Sequence, residues 1–248
     1  MSGPAFLANN VIDGLQTAVA TLEAIASQAQ LSTASAAAVT TQLATLYNSI
    51  PGRVSQDTGV DQTIASDLLA ASQAIVSAMP AASAAMDFGA AYDAAAPHDL
   101  PATLTTNAAI DAENGAAVLQ LQRLALLAGY AQALLSMTFD SRQAGINARS
   151  AFVARMDVEL FACSLTDNMP LYGVLQTLRG AVVSYLTKLI TTLQPVVTVT
   201  TTRVSSVLWL SWRLYRDTSQ ASDILARNNI AHPSFCPRTL EVLAPGAA

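Results

Sequence analysis

Charged residues are scarce in this chain. Asp, Glu, Lys and Arg together make up 12% of its 248 residues, and hydrophobic residues make up 52%. The charged share is about half of what an ordinary soluble domain carries. Polar groups are therefore too few to cover long helices that are apolar on more than one side. We expect such a protein to bury surface against other chains.

Histidine and cysteine are almost absent. The two histidines, His98 and His232, have no neighbouring residues that could complete a metal site or a catalytic triad. The two cysteines, Cys163 and Cys236, have neither metal-ligand spacing nor the density of a disulfide framework. These absences predict buried or free thiols in a reducing compartment and no metal site.

The acidic residues form no arrangement suited to catalysis. Asp111 with Glu113 and Asp157 with Glu159 are spaced two apart, which on a helix directs the two carboxylates to different faces. We expect both pairs on solvated faces. Since a Gly-rich phosphate loop is also missing, the sequence predicts no catalytic residue and no cofactor site, and the protein is not expected to be an enzyme.

Runs long and apolar enough to span a membrane are missing as well, and so are strong basic patches. No basic segment precedes an apolar run at the start, so no signal peptide is expected. The longest charge-free runs, Ala24–Gly52 and Leu68–Met86, are rich in Ser, Thr, Gln and Ala, and we expect no membrane insertion. Five arginines between Arg203 and Arg238 are offset by nearby acids, so nucleic-acid binding is not expected.

Alanine and long apolar patterns divide what is present into three regions. Residues 1–100 hold 26 Ala, eight acids and one base, Arg53, and predict an Ala-rich, acidic helical region. Its helices are expected at 5–30, Thr33–Ile50 and Asp61–Met79, followed by a weak helix and a linker up to residue 100. Alanine gives each helix little apolar area to bury, so these helices are expected to need neighbours.

The second region, residues 101–194, predicts a bundle of long helices. Leu104–Met137 is apolar almost all round, a second helix follows Asp140 or Ser141, and Leu171–Gln194 ends at a proline. Short connections favour antiparallel neighbours. The fold class is therefore mainly α, with an Ala-rich helical body and a long-helix bundle.

The third region, residues 195–248, predicts a small α+β domain with the order strand, helix, helix, strand. The run PVVTVTTTRV at 195–204 favours a strand. A helix with two apolar stripes starts at Ser205, and Asp217 is expected to cap a second helix with Gln220 three residues on. Asn228 and Asn229 suit the end of that helix, and TLEVL at 239–243 alternates as a strand does.

This order resembles the LysM fold. With RLYRD, ARNNI, HP and LEVL at residues 203–243, it is more closely similar to the C-terminal end of the DNA circularisation protein family of Mu-type phages, which are tail and baseplate components. The chain departs from that family at Arg216, where Gly is usual, and near residues 236–238, where the family has a Gly-rich turn. The β-rich first domain of the family has no counterpart in this sequence.

Two surfaces of this region could contact partners. Trp209 and Trp212 lie at helical spacing, which favours a place in the core over a ligand-stacking role. An exposed Trp212, or unpaired strands, would contradict a LysM-like domain. The loop from Asn229 to Phe235 is the better candidate for partner binding. Its candidate residues are Asn229, Ile230, His232, Pro233 and Phe235.

The resemblance implies a structural component of a contractile phage tail or a related injection machine, at the baseplate or hub. It implies hub, tube and wedge proteins as partners, six copies around the tail axis, and a place in the virion after assembly in the host cytoplasm. One alternative is a peptidoglycan-binding module that grips cell-wall glycan through its LysM-like domain. Another is an unrelated Ala-rich helical adaptor.

Overall fold

The computed structural model describes residues 8–29, 31–55, 59–95, 106–165 and 168–244. The elements run in the order α1 (Ala8–Gln28), α2 (Thr33–Arg53), β1 (Val54–Ser55), β2 (Gly59–Val60), α3 (Thr63–Ala78), α4 (Ala81–Ala94), α5 (Thr106–Ser136), α6 (Arg142–Leu165), α7 (Met169–Thr192), β3 (Val196–Thr200), α8 (Val207–Tyr215), α9 (Ala221–Arg227) and β4 (Thr239–Leu243). The predicted fold class, mainly α with a small α+β part, is confirmed.

The chain forms two compact units. The first contains residues 1–138 and 152–182, and the second contains residues 139–151 and 183–248. Helices α6 and α7 contribute to both. Residues 1–100 and 101–138 share the first unit, because helices from both segments pack together. The boundaries of the two units therefore differ from those of the three regions expected from composition.

Helix α5 forms the centre of the first unit, where α1, α3 and α4 pack against it. Its side chains Leu126, Leu127 and Leu134 are fully buried, as its nearly continuous apolar pattern requires. The Ala-rich helices therefore find their neighbours within the same chain.

Helix α4 lies where a weak helix followed by a linker was expected, and two aromatic side chains anchor it in the core. Phe88 is fully buried and Tyr92 is 3% exposed. The small Gly129 of α5 lies against the Phe88 ring, which lets the two helices approach closely. The predicted linker itself, with His98, lies mainly outside the described residues.

The long helices are antiparallel to their neighbours, as predicted. Between α5 and α6, Gln120 contacts Cys163 and Arg123 contacts Glu159. Residue numbers therefore rise along α5 as they fall along α6. Between α6 and α7, Asp157 pairs with Arg179 in the first unit. In the second unit, the same descending order links Arg149 to Thr187 and Arg142 to Leu193.

The two predicted strands of the C-terminal region pair with each other. Strands β3 and β4 form an antiparallel sheet in which Val196 lies opposite Leu243 and Thr200 lies opposite Thr239. Together with α8 and α9 they enclose a small core made of Val207, Leu210, Ala221, Ile224, Cys236, Leu240 and Val242. We call residues 196–244 the tail domain. Its strand–helix–helix–strand order and its strand pairing agree with the prediction.

The capping role predicted for Asp217 is wrong. Helix α9 begins at Ala221 after Gln220, which makes no capping hydrogen bond through its side chain. Asp217 instead accepts the backbone N–H of Ser219 at 2.9 Å and so stabilises the turn before the helix. The capped helix is α8, where the Ser206 hydroxyl accepts the N–H of Trp209.

Candidate partner-binding surface

Helix α8 has two apolar faces, and the tail domain covers one of them. Val207 and Leu210 are buried in the small core. On the opposite side, Leu208 is 58% exposed, Trp209 is 45% exposed and Trp212 is 53% exposed. A helix with two apolar stripes needs cover on both sides, and within the described part of the chain the second stripe has none.

The predicted burial of the two tryptophans is therefore wrong. Two layers cannot cover a helix all round, because the small sheet contacts α8 from one side only. The half-buried Tyr215 stays with the covered side, and its hydroxyl donates to Leu243 O at 2.7 Å. By the criterion stated above, the exposure of Trp212 contradicts a LysM-like domain, although the paired strands agree with one.

The predicted partner-binding loop lies beside the first turn of α8. Val207 N donates to Pro233 O at 2.8 Å, and Cys236 N donates to Ser205 O at 3.0 Å. These bonds hold the loop at the end of the helix where Leu208 is exposed. The loop and the uncovered stripe of α8 are thus parts of one end of the tail domain.

The five candidate residues of the loop differ in their surroundings. Asn229, His232, Pro233 and Phe235 are exposed, whereas Ile230 is half-buried and packs against the small core. The rings of His232 and Phe235 lie 5.2 Å apart, and Phe235 is 68% exposed. The structure therefore brings His232, Pro233 and Phe235 together at the surface and turns Ile230 inward.

We define the tail surface as Val204, Leu208, Trp209, Trp212, His232 and Phe235. Val204 is 49% exposed next to the start of α8. The Arg213 guanidinium lies over the Trp209 ring, 5.1 Å from its centroid, which holds a positive charge at the rim. Aromatic residues and arginine are the side chains most enriched where proteins bind one another.

One ion pair links the tail domain to the segment just before α6, and hydrogen bonds link the start of α6 to the residues that lead from α7 into the tail domain. Arg142, at the start of α6, donates its backbone N–H to Gln194 O at 2.9 Å and its Nε to Leu193 O at 3.2 Å. The Arg227 side chain, 11% exposed, reaches Asp140 at 3.7 Å and Asp223 at 2.9 Å. These contacts all lie within the second unit.

A buried polar cluster lies in the first unit, and the sequence interpretation missed it. Arg123 donates to Glu159 Oε1 at 2.7 Å, to Tyr92 Oη at 2.6 Å and to Ala95 O at 2.7 Å. Glu159 is 1% exposed, so its expected place on a solvated face is wrong. Arg123 within the apolar run of α5 was the available signal, because a buried guanidinium requires a carboxylate partner.

Burial dominates the electrostatics of this cluster. It raises the pKa of the Tyr92 phenol well above its usual range, and the nearby Glu159 carboxylate raises it further. Burial also raises the pKa of the Cys163 thiol, which makes this sulfur a poor nucleophile. The three cluster side chains bond to one another and to backbone carbonyls, and we interpret the cluster as structural.

The described residues contain no group of three or more His, Cys, Asp or Glu side chains that could hold a metal ion. None of their helices is both long enough and apolar enough to cross a membrane.

We compared the chain with protein-family models and with curated proteins, and it matches none of either.

Proposed function

We propose that this chain is a structural component of a contractile phage tail or a related injection machine, at the baseplate or hub. The observation that carries the proposal is the tail surface, where two tryptophans and a phenylalanine stay about half or more exposed on a small domain. Exposed aromatic clusters of this kind typically become the buried centres of protein interfaces.

The way the tail domain is held supports an assembly role. The Arg227–Asp140 ion pair joins it to the segment just before α6, and Arg142 joins the start of α6 to the residues between α7 and β3, all within one compact unit. A surface mounted on long helices can transmit load between neighbouring proteins, as a baseplate component must do. The resemblance at residues 203–243 adds the specific machine, with hub, tube and wedge proteins as partners and six copies as the expected number.

The proposal depends on the chemistry of this surface and does not require a LysM glycan cleft. The exposure of Trp212 contradicts a LysM-like domain. In the proposed role the protein is a virion component that is assembled in the host cytoplasm.

The test is incorporation into particles. Tagged chain, expressed in the host that encodes it, should sediment with assembled tails after induction. The double variant Trp209→Ala, Trp212→Ala should lower the incorporated amount at least tenfold, because the centre of the contact is lost. Met86→Ala, which shortens an apolar side chain in the first unit that is 69% exposed, is the control. Tails that assemble fully without the tagged chain would contradict the proposal.

A second candidate function, peptidoglycan binding, is favoured by one observation. Trp209 and Trp212 are both exposed on the same side of α8, and exposed aromatic rings can stack on sugar rings. Purified chain would then be retained on insoluble peptidoglycan, and Trp212→Ala would release it. Retention that is equal for both proteins, or absent, would exclude this function.

A further inference from the structure

The outer edge of β4 is closed by a side chain. Asn228 Nδ2 donates to Glu241 O at 2.7 Å, and Glu241 N donates to Asn228 Oδ1 at 2.7 Å. The amide thus makes the two bonds that a neighbouring strand would make at the central residue of β4. The exposed charge of Glu241 further protects this edge from another chain.

The outer edge of β3 is open. Thr201 N donates to Arg238 O at 2.7 Å, and backbone groups alternate in direction along an antiparallel strand. The N–H and C=O groups of Val196, Thr198 and Thr200 therefore turn away from β4. Within the described residues, no strand pairs with this side of the sheet.

The side chains of β3 indicate the same incomplete edge. Val197 and Val199 are only half-buried, although their partners across the sheet, Val242 and Leu240, are 0% and 1% exposed. The strand VVTVT contains no charge, proline or glycine, which are the features that usually keep an edge from pairing. One more strand beside β3 would cover the two valines.

The sequence of β3 is complementary to itself. If two copies meet antiparallel about Thr198, then Thr198 faces its own equivalent, Val197 faces Val199, and Val196 faces Thr200. On the core side valine meets valine, and no charges oppose each other on either side. Since Thr198 turns its N–H and C=O outward, the central pair exchanges two hydrogen bonds.

We infer that β3 pairs with β3 of a second copy of this chain, which gives a four-stranded sheet in the order β4, β3, β3, β4. The contact is two-fold symmetric and closes on itself, because both outer edges of the new sheet are protected by Asn228. This inference goes beyond the proposed function, and either of the two can fail without the other.

Cross-linking of the full chain tests the contact. In the proposed pair the two Thr198 Cα atoms would be about 5.5 Å apart, within the range of a disulfide. Both native cysteines are buried. Purified Thr198→Cys at micromolar concentration should therefore convert mostly to a covalent dimer in oxidised glutathione. Glu241→Cys, also exposed but on the protected strand, is the matched control and should give at least tenfold less dimer.

A second variant tests the same contact without chemistry. Thr198→Pro removes an outward N–H and no bond within the chain, so it should halve the mass in sedimentation while leaving the circular dichroism unchanged. Two results would overturn the inference. One is equal dimer yield from Thr198→Cys and Glu241→Cys. The other is a folded Thr198→Pro protein with the mass of the unmodified chain.

Discussion

Arg216 ends α8 in a left-handed backbone conformation, with φ 60° and ψ 19°. A side chain in this region clashes with the following carbonyl, at a cost of about 1–2 kcal/mol, which glycine avoids. Glycine loses more freedom on folding, and this cost offsets part of the gain. We therefore expect Arg216→Gly to raise the free energy of unfolding by about 0.5–1 kcal/mol.

The measurement for Arg216 is urea denaturation. Arg216→Ala is the control, because it removes the charge but keeps the Cβ atom and should give no gain. If alanine stabilises as much as glycine, the arginine charge rather than the backbone conformation would be responsible.

Tyr92 gives a pH dependence of stability. Its pKa is raised in the folded protein by burial and by Glu159, so the folded state favours the neutral phenol. The contribution of Tyr92 to the free energy of unfolding is fully present below about pH 10, the usual pKa of a tyrosine side chain. The contribution is lost as the pH rises toward the folded pKa, because the unfolded chain ionises first, with a slope of about 1.4 kcal/mol per pH unit.

Tyr92→Phe should therefore change stability in two ways. At pH 7 it should lower the free energy of unfolding by about 1–3 kcal/mol, because Arg123 and Glu159 each lose a hydrogen bond. Between pH 9 and 11 the stability of the variant should fall less steeply than that of the unmodified chain, because the Tyr92 phenol no longer titrates. It should still fall, because Tyr130 and Tyr215, whose pKa values are also raised, still titrate. Equal slopes in denaturation series at these pH values would show that Tyr92 does not couple to folding.

At the scale of elements, the close packing of α4 on α5 depends on the glycine at position 129. A Cβ atom at Gly129 would overlap the fully buried Phe88 ring, whereas one at Gly180, in the exposed part of α7, would meet nothing within 4 Å. Gly129→Ala should cost about 1–3 kcal/mol through overpacking. Gly180→Ala should gain about 0.5–1 kcal/mol from helix propensity alone.

Thermal unfolding of the two glycine variants gives a direct comparison, since the same chemical change is made in two helices. A stabilised Gly129→Ala protein would mean that α4 can move away from α5 at little cost, and that their contact is loose.

At the scale of the whole molecule, the composition argument for assembly needs revision. Long helices that are apolar on more than one side were expected to bury surface against other chains, but α1, α3 and α4 already pack against α5 within one chain. Larger groups of exposed apolar side chains lie on the tail surface and around the α6–α7 turn, where Phe161 is 65% and Leu165 is 72% exposed. Assembly is therefore predicted to use these surfaces and not α5.

Amide hydrogen exchange tests this revision. In a fraction of the chain isolated as a monomer, residues 125–134 of α5 should exchange slowly, near the rate of global unfolding, because their side chains form the core. Helix α8, with only nine residues and an uncovered face, should exchange faster. If α5 exchanges as fast as α8 in the monomer and slows only in an oligomer, the core is completed by other copies.

Local patterns in the sequence determined most of the elements. Apolar periodicity and the Ala-rich composition predicted the helices, β-branched runs predicted β3 and β4, and Pro195 marked the end of the last long helix. Short connections were enough to predict that the long helices are antiparallel. These features follow from chemistry within a few residues, so one sequence is sufficient to predict them.

Only the tertiary structure decided which side chains are covered. Glu159 and Arg123 lie 36 residues apart and become a buried pair only where α5 meets α6, and Trp212 remains exposed because a two-stranded sheet covers one side of α8 only. The short β1–β2 pairing was not predicted, since two residues carry no periodicity. Burial depends on which elements meet in space, and the sequence pattern of a single helix does not contain that information.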